Sequence, residues 1–209
     1  RAGVQRVPGR RVMRVLFVGC GDVAMRVASL LAGRARMVGL IRGRDDIDRL
    51  RAHGVTPIIG DLDSRRSLAR LAHSPDAVMH FAPPPGEGRG DPRTGRLLAA
   101  LGASRRIPQR FVYISTSGVY GDCGGARIAE TRPRRAQTPR GRRRVDAENR
   151  LREWAGRHGV SLAIVRAPGI YAPDRLPIER IRQGTPVLVA EDGTFTDEGR
   201  ALHQRIEAR

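Results

Sequence analysis

Lysine is missing from this chain. All 39 basic residues among its 209 are arginine, set against 21 acidic ones, for a formal net charge of +18. A protein that grips nucleic acid by charge ordinarily mixes the two cations. An all-Arg chain rich in Ala and Gly reads instead as the mark of G- and C-rich codons, so the charge is set aside as a guide to function. It still predicts salt-sensitive, non-specific adhesion to polyanions. Cysteine is nearly missing too. Cys20 and Cys123 stand in no metal-ligand spacing, which excludes a disulfide framework, implies no metal, and points to a reducing cytoplasm. No apolar run approaches the ~20 residues of a membrane span. No apolar signal core follows the basic segment Arg1–Arg11. Residues 1–12 read as a basic leader outside the fold, since Met13 stands two residues ahead of the first strand.

What is present is a regular alternation. Val15–Val18 is an apolar, strand-like run that ends in Gly19-Cys20-Gly21-Asp22-Val23-Ala24, and Asp22–Ala32 then carries apolar residues at helical spacing. Gly-x-Gly-x-x-Ala between a strand and a helix is the phosphate-binding turn of a dinucleotide fold. The first Gly makes the tight turn, the second lets backbone approach a pyrophosphate, and Ala24 lets helix and strand pack closely. The helix N-terminus offers N–H groups and a positive dipole end to the phosphates. Arg36–Ile41 is a second strand. It ends at Arg42, where an acidic residue would bind the ribose of NAD; a guanidinium there favours the 2′-phosphate of NADP, with NAD as the alternative.

The chain continues with a helix at Asp45–His53, a strand at Val55–Gly60, a helix at Ser64–His73 capped by Asp63 or Ser64, and a strand at Ala77–Ala82. A Gly-rich connection, Pro85–Gly95, leads to a helix at Arg96–Ser104 and a strand at Gln109–Ser115. Gly121–Gly141 reads as a solvated, Arg-loaded loop. No aromatic residue lies between Glu130 and Arg144, so base stacking and a nucleic-acid partner are not supported. A helix at Arg144–His158 and a strand at Val160–Val165 follow. His80, alternating with buried neighbours, reads as packed rather than catalytic. This rhythm predicts an α/β fold: a Rossmann-type doubly wound parallel sheet with helices on both faces and ligand at the carboxyl ends of its strands. Residues 13–173 form that domain. Residues 174–209 read as a partial, truncated or rudimentary substrate lobe with an atypical tail.

Three segments then fall in a telling order: the Gly19–Ala24 turn, Tyr113-Ile114-Ser115-Thr116-Ser117-Gly118-Val119-Tyr120-Gly121-Asp122, and Arg166 to Pro173. Together they resemble the extended short-chain dehydrogenase/reductases of the NAD(P)-dependent epimerase/dehydratase family, in an atypical branch. The resemblance covers about Met13 to Leu188. It implies that Gly19, Cys20, Gly21, Asp22 and Val23 hold the cofactor pyrophosphate, that Asp61 and Leu62 lie beside the adenine, and that Phe81, Ala82 and Pro83 line the cofactor. Ser115 at the strand end and Pro168 near the nicotinamide complete the set. Thr116 matches the catalytic Ser/Thr, with Ser117 beside it; either hydroxyl would bind a substrate oxygen. The family's Tyr-x-x-x-Lys pair is absent. Anchored on Glu148, its positions hold Arg140 and Arg144. Arg144 is able to replace the Lys as a ribose or phosphate ligand, but no arginine serves as a general base near neutral pH. Two functions stay open. One is an oxidoreductase or epimerase moving hydride at an oxygen-bearing carbon of a small molecule such as a sugar nucleotide, with a homodimer allowed. The other is a non-catalytic NADP(H)-binding sensor or partner-binding protein.

Overall fold

The computed structural model describes residues 12–72 and 75–172, together with residues 178 and 182. The expected leader falls outside these residues except for Val12. The segment 174–209 falls outside them apart from the same two isolated positions, and Pro173 is outside as well.

Six strands form one parallel sheet: β1 (Met13–Val18), β2 (Ala35–Ile41), β3 (Val55–Ile59), β4 (Ala77–His80), β5 (Arg110–Thr116) and β6 (Ser161–Ala167). Their order is β3-β2-β1-β4-β5-β6, the doubly wound dinucleotide-binding order. The order reverses between β1 and β4, where Val15 pairs with Ala77 and Val18 with His80. The carboxyl ends of these two strands therefore open the crevice where ligands of such sheets sit.

Alternation along the strands divides the core in two. Leu16 and Val18 of β1 join Val78, Phe111 and Tyr113 on one face. That face is covered by α3 (Pro92–Gly102) through Leu97, Leu98 and Leu101, and by α4 (Pro139–His158) through Ala147, Leu151 and Trp154. Val15 and Phe17 face the other side with Met37 and Val55. They meet Ala24, Met25 and Ala28 of α1 (Asp22–Leu31) and Leu50 of α2 (Ile47–Ala52). Parallel strands buried on both faces need such continuous apolar runs.

Three helices differ from expectation. The segment expected as Ser64–His73 is a 3₁₀ helix, Arg65–Ala72. There Ser67 Oγ donates to the carbonyls of Ser64 and Asp61, a local competition with the α-helical ladder. The helix expected to begin at Arg96 begins at Pro92. Asp91 caps it by accepting from Thr94 N, and Pro92 occupies the first turn, where its missing N–H costs nothing. The helix expected at Arg144 likewise begins at Pro139, capped by Thr138, which accepts from Gly141 N. Arg140, Arg142 and Arg143 therefore join Arg144 in the helix, and Arg143 and Arg144 are buried. At the other end Gly159, at φ +65°, makes the left-handed stop.

Candidate dinucleotide site

The turn between β1 and α1 contains two glycines under opposite constraints. Gly19 has φ +86°, and a Cβ there would lie 2.5 Å from the backbone nitrogen of Ala82. The contact exists because Phe81 N and Ala82 N both donate to Val18 O, at 2.8 and 2.9 Å, which folds the exit of β4 over the turn. Gly21 is the N-cap of α1, with φ −79°. A Cβ there would meet nothing within 4 Å. The protein's own packing thus explains a glycine at 19 and leaves the one at 21 to an external neighbour. Gly21 N–H takes no backbone acceptor among the described residues. Ala24 is fully buried against the strand. A space that a Cβ would fill, in front of exposed helix N–H groups, suits a pyrophosphate.

Cys20 turns inward. Its thiol reaches the carbonyls of Leu40 and Phe17, and burial pushes its pKa up to about 12 despite the nearby Arg49. It stays protonated and offers a ligand its backbone alone. Asp22, on the first turn of α1, is bonded to Arg26 one turn on. Val23 is half-buried beside it.

At the end of β2, Arg42 and Arg44 are exposed. Asp61 carries an Asx turn, its Oδ1 accepting from Asp63 N, while Leu62 is buried in the core. Asp63 is ion-paired to Arg93 and Arg96 of α3. Its carboxyl is held below the usual range chiefly by the hydrogen bond from Arg93, with Arg42 among the more distant contributing charges. Arg42 directly follows the last residue of β2, at the end of the strand that opens on the crevice. Phe81 packs edge-on against Phe17, and Pro83 is exposed beyond it.

The third group lies where β5 meets α4. Thr116 is half-buried and caps a short 3₁₀ turn, Ser117–Val119, by accepting from Gly118 N; its hydroxyl proton remains for another acceptor. Ser117 is half-buried next to it. Ser115 differs from expectation, because its hydroxyl donates to Glu148 at 2.7 Å and is buried. That proton belongs to the core rather than to a cofactor. Arg144 is also drawn inward. Its Nη1 donates to Tyr113 Oη and to the Ile114 carbonyl, both at 2.8 Å, and its Nε is buried without a partner. Burial raises the Tyr113 phenol to about 12 despite the adjacent guanidinium, so it stays protonated near neutral pH. Arg140 is exposed on the first turn of α4. Pro168 is exposed just past β6.

Glu148 organises this end. It is fully buried and accepts from Ser115, Arg134, Arg152 and, through two nitrogens, Arg166. Arg166 also holds Tyr120 Oη and the Glu130 carbonyl. One carboxylate thus ties β5, β6, α4 and the loop that follows Tyr120. In the sequence Glu148 serves only to set the register of Arg140 and Arg144. A glutamate on the apolar side of a helix, four residues from an arginine, was the available signal. Asp146 was missed altogether: it accepts from Asp91 N at 2.6 Å and binds Arg150, fixing the Gly-rich connection onto α4. His80 is buried, with Nε2 against Thr94 Oγ1. Thr94 gives its proton to Asp91, so His80 is the donor to Thr94.

The order of strands, the turn and the Thr116 strand end together have the form of one protein family. The sequence profile of the NAD dependent epimerase/dehydratase family matches residues 24–196. The chain belongs to that family. It is 27% identical over 182 residues to a dTDP-glucose 4,6-dehydratase of Neisseria meningitidis serogroup B, covering 70% of this chain and 51% of the relative. It is 31% identical over 160 residues to a UDP-glucose 4-epimerase of Azospirillum brasilense, covering 68% of this chain and 45% of the relative. The chain therefore spans about half the length of the curated relatives it matches. Among solved structures, UDP-glucose 4-epimerase from Brucella ovis, in complex with NAD, superposes with a TM-score of 0.60 at 26% identity, over 74% of this chain and 51% of that one. No helix among the described residues is long and apolar enough to cross a membrane.

Proposed function

We propose that this chain binds a nicotinamide adenine dinucleotide across the carboxyl ends of β1, β2, β4 and β5, with NADP(H) preferred over NAD(H). The observation that carries it is the contrast at the β1–α1 turn: Gly19 is required by the protein's own backbone, whereas Gly21 faces open space with no backbone acceptor for its N–H among the described residues. The pyrophosphate would lie there, on Gly19, Gly21 and the first turn of α1. Asp61 would face the adenosine, with Leu62 supporting that wall from the core. Phe81, Ala82 and Pro83 would border the middle, and Pro168 the nicotinamide end. Arg42 supports the NADP preference, because an exposed guanidinium pairs with a 2′-phosphate that a carboxylate would repel.

The dinucleotide, once bound, supplies a hydride donor or acceptor. The chain's own contribution is positional. Thr116 and Ser117 would hydrogen-bond an oxygen on the carbon that reacts, in a sugar-nucleotide-like small molecule of the kind named in the relatives. Both cysteines are free, which suits a reducing compartment such as the cytoplasm. A second function, dinucleotide binding without turnover, is favoured by one particular: Arg144 is bonded to Tyr113 and Ile114, and neither it nor Arg140 is able to act as a base.

Titration of NADPH and NADH, followed by thermal unfolding, tests this. A ligand at 100 times its Kd adds about 2.7 kcal/mol of stability, a readable shift. NADPH should bind more tightly, and Arg42→Asp should reverse the order through a change of about tenfold. Stabilisation by neither nucleotide refutes the site. An NADPH preference that survives Arg42→Asp refutes the role of Arg42.

A further inference from the structure

The geometry points to Arg49 as a positioning residue for the phosphate turn, acting from α2 through the carbonyl of Cys20. The inference rests on the dinucleotide site proposed above. Arg49 Nη2 donates to Cys20 O at 2.8 Å, across 29 positions of sequence. A trans peptide carries its carbonyl and the following N–H in opposite directions. Holding the Cys20 carbonyl toward α2 therefore sends the Gly21 N–H away from it, toward the open space, where it meets no backbone acceptor among the described residues. Released, that peptide is free to rotate, because glycine at 21 imposes little restraint on it. The inward thiol of Cys20 fixes the side chain but not the plane of the peptide that follows.

Arg49 is itself fixed at the other side. Its Nη2 and Nε bind Asp46 Oδ1 at 2.7 and 3.1 Å. Asp46 is the N-cap residue of α2, and its carbonyl accepts from Leu50 N. Leu50 is fully buried and anchors this six-residue helix in the core. The loop from Arg42 to Asp46 is thereby tied to the phosphate turn through one guanidinium. The pyrophosphate end and the 2′-phosphate end of the site are held in one frame, which neither segment specifies locally.

Positioning and charge make different predictions. NADH and NADPH share the pyrophosphate and differ at the 2′-phosphate. If Arg49 sets the turn, Arg49→Met weakens both nucleotides by about fivefold to tenfold and leaves their ratio unchanged. In the ligand-free protein, the ¹³C shift of the Cys20 carbonyl and the ¹⁵N shift of Gly21 should both move. Arg49→Lys keeps the charge but not the fork that spans Asp46 and Cys20, so it should reproduce both effects at smaller amplitude; it also serves if the Met variant fails to fold. Unchanged affinities for both nucleotides overturn the inference. So does a loss confined to NADPH, which would make Arg49 a ligand of the 2′-phosphate instead. If the unmodified chain binds neither nucleotide, the dinucleotide site fails. The carbonyl shift then decides the Arg49 link by itself: no movement in Arg49→Met overturns it, and movement supports it.

Discussion

Replacing Glu148 by Gln removes one charge and leaves the shape of the side chain. The consequence follows from its neighbours. The partner pair with Arg166 is the buried one, with side-chain exposures of 0% and 11%, at 2.8 Å. Removing one member of a buried pair typically costs 3–5 kcal/mol, because the other is left uncompensated. Arg134 and Arg152 are more exposed, at 26% and 42%, and screening holds their share to about 0–1 kcal/mol each. The Ser115 hydroxyl keeps an acceptor in the amide oxygen, though an uncharged one. A loss of about 3–5 kcal/mol is expected at pH 7, a large part of the 5–15 kcal/mol available to a domain. Trp154, the single tryptophan, is buried on the same helix, so its emission during urea unfolding reads the loss directly. The pH dependence gives a second check. Burial pushes the Glu148 carboxyl up, but the hydrogen bonds from Arg166 and Ser115 and the charges of Arg166 and Arg152 outweigh it, leaving a pKa below the ordinary value. A depressed carboxyl stabilises the fold fully above its unfolded pKa and loses that contribution as pH falls. The advantage over Glu148→Gln should therefore be level above pH ~5.5, smaller by about 0.6 kcal/mol at pH 4, and shrink further below. A loss under about 1 kcal/mol at pH 7, or a difference that stays level down to pH 4, would refute Glu148 as a charged, buried hub.

Two further substitutions and one titration probe the rest. Gly19→Ala places a Cβ against the Ala82 backbone at a left-handed φ, and should cost at least about 3 kcal/mol in urea unfolding. Gly21→Ala meets no protein atom within 4 Å and should change stability by under about 1 kcal/mol while weakening NADPH about tenfold or more. Unaltered NADPH affinity in Gly21→Ala would remove the pyrophosphate from this turn. His80 is held neutral by burial and by the charge of Arg144, its pKa lowered to about 3. The unfolded chain takes up that proton near pH 6.5, so stability should fall by about 1.4 kcal/mol per unit as pH drops below it. His80→Gln should remove that slope; an identical slope in the variant would show that another group carries it.

Much of the fold is legible in the linear pattern because it rests on local physics. Strand-like apolar runs alternate with helical spacing, and each predicted strand lies within about two residues of its place. The misses have specific causes. Asp91-Pro92 and Thr138-Pro139 are cap and first-turn pairs, but glycines and arginines around them have the composition of loops, and composition prevailed over capping chemistry. The family resemblance places Ser115 beside the cofactor. Only the approach of α4, which brings Glu148 to 2.7 Å, turns that hydroxyl inward.

By itself the sequence determined the parallel α/β architecture, the place of the Gly-x-Gly-x-x-Ala turn between strand and helix, and the lack of any lysine to complete a Tyr-x-x-x-Lys pair. Those depend on short-range periodicity, on two glycines and on the absence of any lysine. Only the tertiary structure decided which arginines do what. Arg166 neutralises a buried carboxylate, Arg144 braces a tyrosine, Arg49 holds a carbonyl of the turn, and Arg42 is exposed just past β2. The reason is reach. A guanidinium on a long, flexible stem pairs with whichever carboxylate or carbonyl the topology brings near it. In a chain with 39 of them, position along the sequence says little about which partner that is.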